Sequence, residues 1–382
     1  MVEEALLPGL PDEIARECLV RIPYTGFPTV KSVCKLWHQE MESSDFHSFR
    51  KSGGFAHTVV AMTQSDPSPF IAPSNSEKQT CSYRAPNMTP VYRLTLYELA
   101  TGACSTLPAI PGFAHGLPLF CQITSAGRSI VVVGGWDPET WAASDQVYVF
   151  NFVCGRWSSG KPMPGPRRSF FACASDSNRT MFVAGGHDEE KNAMRSALAY
   201  DVEEDRWVHL PDMIEERDEC KGIFCDGMFR VIGGYSTEFQ GRFGKSMESF
   251  DSVTGEWGPI EEETLEVGTC PRTTTCYMGG NHAMTTTVRR RKLYRCREGK
   301  LEVKDWEETG SLWTVVVDFP DEVKVAPCLV AVNEGSLFVV GSECHGGVHQ
   351  GYVLDVENKR WSKVDLPEEF SGHVQTAYSL YI

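Results

Sequence analysis

The chain has 382 residues, with 51 Asp and Glu against 36 Lys and Arg, giving a formal charge of −15. So acidic a protein is a poor match for the phosphates of nucleic acid. No stretch approaches the roughly 18 apolar residues that would span a bilayer, and Glu3 and Glu4 stand where a secretory leader would be basic. The 14 cysteines scatter singly (Cys18, Cys34, Cys173, Cys328), most of them in apolar runs. That usage suits reduced thiols of an intracellular protein, cytoplasmic and/or nuclear.

Residues 6–54 read as helical. Leu10-Pro11-Asp12-Glu13 places a proline and acids where a first helical turn favours them. Ile14, Cys18, Leu19 and Ile22 then recur on one face until Pro23 stops the helix. A second helix starting near Pro28 carries Val30, Val33, Cys34, Trp37 and Met41 as a stripe, and a short third runs from Ser44 to Ser52 before Gly53-Gly54. So small a piece, residues 1–54, leaves its stripes only partly buried and should want a partner.

From residue 55 onward the pattern changes to short strands. Phe55–Met62 reads as a strand, and 64–90 reads as a flexible insertion, with prolines among Ser, Asn and Thr. Tyr92–Tyr97 and Cys104–Pro108 follow as later strands of a first sheet. A repeat then sets in: Val131-Val-Val-Gly-Gly135, Tyr148, Trp157 and Pro162; Met181–Gly186, Tyr200-Asp201, Trp207 and Pro211; Val231-Ile-Gly-Gly234, Phe250-Asp251, Trp257 and Pro259. Trp157, Trp207 and Trp257 stand 50 residues apart, a period that belongs to propeller blades. The tryptophans and tyrosines suit the wedge between adjacent sheets, with a polar edge at the rim.

Blades are expected near 116–164, 168–211, 217–260, 269–320 and 326–367. In 269–320, Leu293-Tyr294 replaces the Gly-Gly strand. The lone segment 373–381 would complete the first blade and close the ring, removing its open edges. The expected fold is mainly β, a six-bladed propeller over 55–382 behind a small all-α domain, with seven blades the alternative.

The helical segment, Leu-Pro-x-Glu-Ile, Cys-Leu-x-x-Ile-Pro and Val-Cys-Lys-x-Trp, resembles the F-box, and the 50-residue repeat resembles the kelch motif. Together they resemble the plant F-box/kelch-repeat proteins over nearly the full chain. The resemblance implies a non-catalytic substrate receptor of a ubiquitin ligase of the Skp-cullin-F-box type, feeding proteasomal degradation. It implies that Leu10, Pro11, Ile14, Leu19, Ile22, Pro23, Val33 and Trp37 dock a Skp-type adaptor and, through it, a cullin. Phenylalanine ammonia-lyase and type-B response regulators of cytokinin signalling are the target candidates it implies. The alternatives are a helical cap folded onto the propeller, a kelch enzyme of the sugar-epimerase or oxidase type, and a scaffold without ligase function.

Arg168, Arg217 and Arg272 each precede the first strand of a blade, which would bring three guanidiniums near the central opening. In kelch adaptors that grip peptides, arginines at this place touch the ligand, and the resemblance implies the same here. The other reading is that they pair with acids such as Asp218 and hold the rim. Loops after the Gly-Gly pairs offer Trp136, Trp141, His187, Tyr235, Phe239 and Phe243 as interface anchors. His345-Gly-Gly-Val-His349 has helical metal-ligand spacing, but its glycines make a loop. Neither a catalytic constellation nor a cofactor or metal site is expected. Arg289–Lys292 reads as a solvated loop or as a nuclear address.

Overall fold

The computed structural model describes residues 5–67, 90–113, 116–265, 269–279, 291–306 and 311–382. Most of the expected insertion, residues 68–89, lies outside that set, as do Arg289 and Arg290. The strand before the insertion runs on through Gln64 to Ser65, two residues beyond the expected break.

Four helices come first: α1 (Asp12–Val20), α2 (Phe27–Lys31), α3 (Lys35–Glu42) and α4 (Ser44–Ser52). Pro11 precedes α1, and Asp12 and Glu13 occupy its first turn, where the helix dipole favours negative charge. The stripe expected from Val30 to Met41 is broken, because Cys34 is extended and its thiol accepts the Trp37 N–H, starting α3 afresh. Met41 and Phe27 therefore turn inward, while Val33 is left 59% exposed. Ser43 caps α4 by accepting the Phe46 N–H at 3.1 Å.

Six four-stranded sheets follow, one per blade. The first blade takes the C-terminal strand Val374–Tyr381 as its innermost member, followed outward by Thr58–Ser65, Tyr92–Glu98 and Cys104–Thr106. Strand 374–381 pairs antiparallel with 58–65, from Thr58 opposite Tyr381 to Gln64 opposite Val374. Blades two to six run in simple order through 122–160, 172–210, 221–257, 275–318 and 325–363. Their inner strands contact one another around the axis, so the circle is closed. No helix among the described residues is long and apolar enough to cross a membrane.

Four of the six outer strands are fastened to the blade before them by a tryptophan. The indole N–H groups of Trp157, Trp207, Trp257 and Trp361 donate to the carbonyls of Pro108, Lys161, Pro211 and Asp318, at 2.6, 2.8, 2.7 and 2.9 Å. The Gly-Gly pairs do a different job. A Cβ on Gly185 would meet the Arg217 carbonyl at 2.3 Å, and one on Gly186 would meet the Ser169 carbonyl at 2.4 Å. Both glycines have positive φ, and Gly186 N–H donates to the Arg217 carbonyl at 2.8 Å.

The helical head is seated on blades one and two. Leu19, Tyr24 and Phe27 share one apolar cluster with Phe152, Val153 and Ile382, and Tyr24 meets Phe152 edge-on at 5.8 Å. Arg50, 1% exposed, donates to the carbonyls of Val20, Ile22 (2.6 Å), Phe55 (2.9 Å) and the C-terminal Ile382 (3.5 Å), and lies 4.9 Å over the Phe27 ring. Burial holds its pKa down to about 10, still cationic at neutral pH. One side chain thus ties α1, α4 and the two ends of the ring closure together.

Replacing Trp207 by Phe keeps a ring but removes the donor, and should cost about 0.5–1.5 kcal/mol. Trp207→Ala, which also empties the wedge, should cost roughly 3 kcal/mol. Denaturant titration of both variants reads the difference; equal losses would mean that the interblade bond contributes nothing beyond the packing.

Candidate functional site

Chain direction divides the propeller into two faces. The turns between first and second strands, and between third and fourth, lie on one face. The long loops between second and third strands lie on the other, together with the connections that enter each new blade. Arg128, Phe152 and Gly155, which touch the head, belong to turns of the first kind. The expected binding loops are of the second kind and face away from the head.

On that far face the chain enters blades two, three, four and six by the same left-handed step, at Phe120 (φ 58°), Phe170 (55°), Glu219 (51°) and Ala326 (49°). The step costs about 1 kcal/mol or more for a non-glycine residue. It brings Phe120 and Phe170 together from neighbouring blades at 5.3 Å between ring centroids. Trp136 packs against both, at 5.7 and 5.5 Å, and its indole N–H donates to Ser169 Oγ. Trp141, 56% exposed, meets Trp136 edge-on at 6.3 Å.

Two matched loops hold this aromatic mouth. Asp137 accepts the N–H groups of Glu139 and Thr140, and Asp188 accepts those of Glu190 and Asn192. Each turn then presents one residue with positive φ, Trp141 in the first and Lys191 in the second. The Lys191 ammonium lies 4.7 Å over the Trp136 ring and donates to His187 Nε2 at 2.9 Å. His187 is 5% exposed and donates through Nδ1 to Asp218 at 2.8 Å, so it supports the loops from beneath.

The three arginines part company. Arg168 is 1% exposed and donates to the carbonyls of Gly185 (3.2 Å) and Ser196 (3.1 Å) and to Ser196 Oγ (2.8 Å). Arg217, 2% exposed, does the same to Gly233 (2.9 Å), Ser246 (3.1 Å) and Ser246 Oγ (2.9 Å), and its Nε meets the fully buried Glu248 at 3.1 Å. The expectation that both line the opening is corrected: their guanidiniums are buried in bonds that bridge the two ends of a long loop. Arg272 differs because its blade joins second and third strands through the tight turn Glu298-Gly299 and has no Gly-Gly loop to bridge. The entry there is a short helix, α5 (Pro271–Thr274), and Arg272 reaches across the opening to stack 4.3 Å over Phe170, two blades away.

Of the other expected anchors, Tyr235 is half-buried, bonded to Glu219 (3.2 Å) and packed on Phe243 (5.3 Å), while Phe239 is 52% exposed at the loop tip. A cleft of about 1390 Å³ adjoins the mouth, with Phe120 and Trp141 on one wall and residues 345–350 and 371–375 on the other. His349 opens a strand there, 3% exposed, with its ring 4.9 Å from that of His373. Burial and the neighbouring His373 hold the pKa of His349 down to about 3, so it stays neutral. No three His, Cys, Asp or Glu side chains converge as a metal site among the described residues. Sequence reading missed Phe120, Phe170 and Lys191; the shared offset of the two phenylalanines from their inner strands was the available signal.

On the head, Leu10 (41%), Ile14 (50%) and Val33 (59%) are exposed, as are Pro11 and Pro23, while Ile22 and Trp37 are half-buried. The Trp37 indole donates to the Leu6 carbonyl at 2.7 Å. Leu19 is 2% exposed, packed inside the head's own core, and is corrected from a docking residue to a packing one. The thiols expected to be buried also divide: Cys18 and Cys34 are exposed on the head, while Cys328 is buried in the propeller.

Fold and repeat together define a kelch-type propeller carrying an F-box-like helical head. Residues 119–164 and 167–214, the two blades that build the aromatic mouth, match the Kelch motif family model. The F-box/kelch-repeat protein At1g15670 of Arabidopsis thaliana is 45% identical over 377 residues, 99% of each chain. At1g80440 from the same plant is 42% identical over 99% of each chain, and SKIP20 is 33% identical over 99% of this chain and 97% of its own. The chain belongs to the F-box/kelch-repeat proteins. An adaptor for substrates, in the general sense, is what such an assembly of parts suits.

Arg217→Met removes the cation from the buried carboxylate of Glu248, leaving it only the Ile214 and Glu215 N–H groups, and should destabilise the fold by about 3–5 kcal/mol. Arg272→Met, with no such partner, should shift the thermal midpoint by less than about 2 °C. Melting curves of the two variants side by side check the assignment of one arginine to structure and the other to the open mouth.

Proposed function

We propose that the protein is the substrate-receptor subunit of a Skp-cullin-F-box ubiquitin ligase. The outer surface of the head docks the Skp-type adaptor, and the far face of the propeller holds a target protein. The observation that carries this reading is the pair of apolar surfaces on α1. Ala15, Leu19 and Val20 are buried, whereas Ile14 and Cys18, one turn apart, stay uncovered, as does Leu10 just before the helix. A cap meant only for the ring would have no use for the second surface.

The chemistry asked of the chain is positioning. A target held on the far face is kept at high effective concentration near the ubiquitin-charged enzyme, and its lysines do the rest. The cytoplasm or the nucleus is the proposed site of action. Of the basic run, Arg291 pairs with Asp226 at 2.9 Å and Lys292 opens a strand. Phenylalanine ammonia-lyase and type-B response regulators are the first targets to test.

The full chain, tagged and expressed in plant cells under proteasome inhibition, should co-purify a Skp-type adaptor and cullin. An Ile14→Asp, Val33→Asp variant should lose both, at least tenfold, while its melting temperature and its captured targets are kept. Adaptor retained at wild-type levels by the folded variant would overturn the reading of the head.

A further inference from the structure

The cleft beside the mouth is built unlike the mouth itself. Apart from its histidines, the charged side chains that line it are Lys363, Asp365 and Glu368, one cation against two acids, so it offers an anion no net attraction. The Lys363 ammonium already lies 5.9 Å over the Tyr352 ring. What the cleft offers instead is neutral N–H groups beside aromatic rings.

His349 supplies the first donor. It is 3% exposed, and its Nδ1 accepts the Val374 N–H at 3.3 Å. Burial keeps the ring neutral, so its one proton sits on Nε2, and that N–H has no acceptor among the described residues. Gln375, on the closing strand, supplies the second. Its Oε1 accepts the Phe120 N–H at 2.8 Å, which turns its NH2 the other way, and no acceptor among the described residues takes either proton. Phe120 and the exposed Trp141 form the aromatic wall of the same cleft.

A polar hydrogen that is nearly out of water and lacks an acceptor is costly to keep. The Val374 bond stops the His349 ring from turning Nε2 towards another partner, and the Phe120 bond does the same for the Gln375 amide. The acceptor has to come from outside.

We propose that the cleft is a binding site for a neutral, flat aromatic small molecule that carries a carbonyl oxygen. The carbonyl accepts from His349 Nε2 and from the Gln375 amide, and the ring lies against Phe120 and Trp141. A volume of about 1390 Å³ holds such a molecule with room for substituents. The site goes beyond the receptor reading, since nothing in it requires an adaptor or a target.

The test uses the purified full chain and three probes of one shape: fluorenone; fluorene, which lacks the carbonyl; and a carboxylate derivative of fluorenone, which adds a negative charge. Ligand-observed NMR titrations should show fluorenone bound about fivefold or more tightly than fluorene, although burial of apolar surface alone favours fluorene. The carboxylate should bind more weakly than the parent ketone. In His349→Phe and in Gln375→Leu, each confirmed as folded by its melting curve, the preference for the ketone should fall to about twofold or less. Trp141→Ala, an exposed change that keeps both donors, should weaken fluorenone and fluorene alike, by about threefold or more. Fluorene bound as tightly as the ketone, a preference that survives both donor substitutions, or failure of all three probes to bind would overturn the inference. Tighter binding of the carboxylate would place the probe at the cations of the mouth and overturn it too. Should the donor variants fail to fold, Trp141→Ala decides, because ketone binding that it leaves unchanged lies outside the cleft.

Discussion

Four indole N–H groups, each reaching from the outer strand of one blade to the end of the blade before it, are the constraint from which the rest of the ring follows. A blade is a small twisted sheet that cannot bury both of its faces alone, so its stability comes from its neighbours. The tryptophan supplies bulk for the wedge and one directional bond that fixes how far the wedge opens. Repeated at Trp157, Trp207, Trp257 and Trp361, it joins four of the six sheets to the ones before them. Six blades complete the circle, and the C-terminal strand is needed inside the first blade to leave no edge open.

The fifth blade departs from that regularity, and its departure shapes the site. Where a Gly-Gly loop rises between the second and third strands of blades three and four, its two ends bring carbonyls together, and an arginine from the connection entering the same blade donates to both, as Arg168 and Arg217 do. Where the strands are joined by a tight turn instead, their carbonyls pair across the hairpin, as Arg297 and Lys300 do. The arginine at that place then has no socket. Arg272 is thereby available to the opening through a change in loop length, without any change in residue type.

That distinction explains how far the sequence could be read. The period of 50, the short terminal strand and the helical head carried the architecture, because each is a pattern of side-chain size along the chain. Arg168, Arg217 and Arg272 look alike in sequence, and only the carbonyls opposite them decide which is structural. Leu19 and Ile14 likewise sit in one apolar pattern on α1, yet the head's own core covers one and leaves the other. Periodicity reports that a surface is apolar. What covers that surface is set by tertiary contacts that leave no local trace.

The head and the mouth occupy opposite faces, and the joint between them is stiff. Arg50 bonds the C-terminal end of α1, the start of the propeller and the Ile382 carbonyl just past the closing strand, all from one buried guanidinium. A planar group with fixed donor directions tolerates little rotation between the parts it joins. A flexible linker would lower effective concentration as its reach grew, whereas a fixed joint confines a bound target to a narrow region of space. Closing the ring with the same carbonyl that Arg50 holds makes the orientation of the head conditional on a complete propeller, so a chain that fails to finish its circle also fails to present its helices in the working direction.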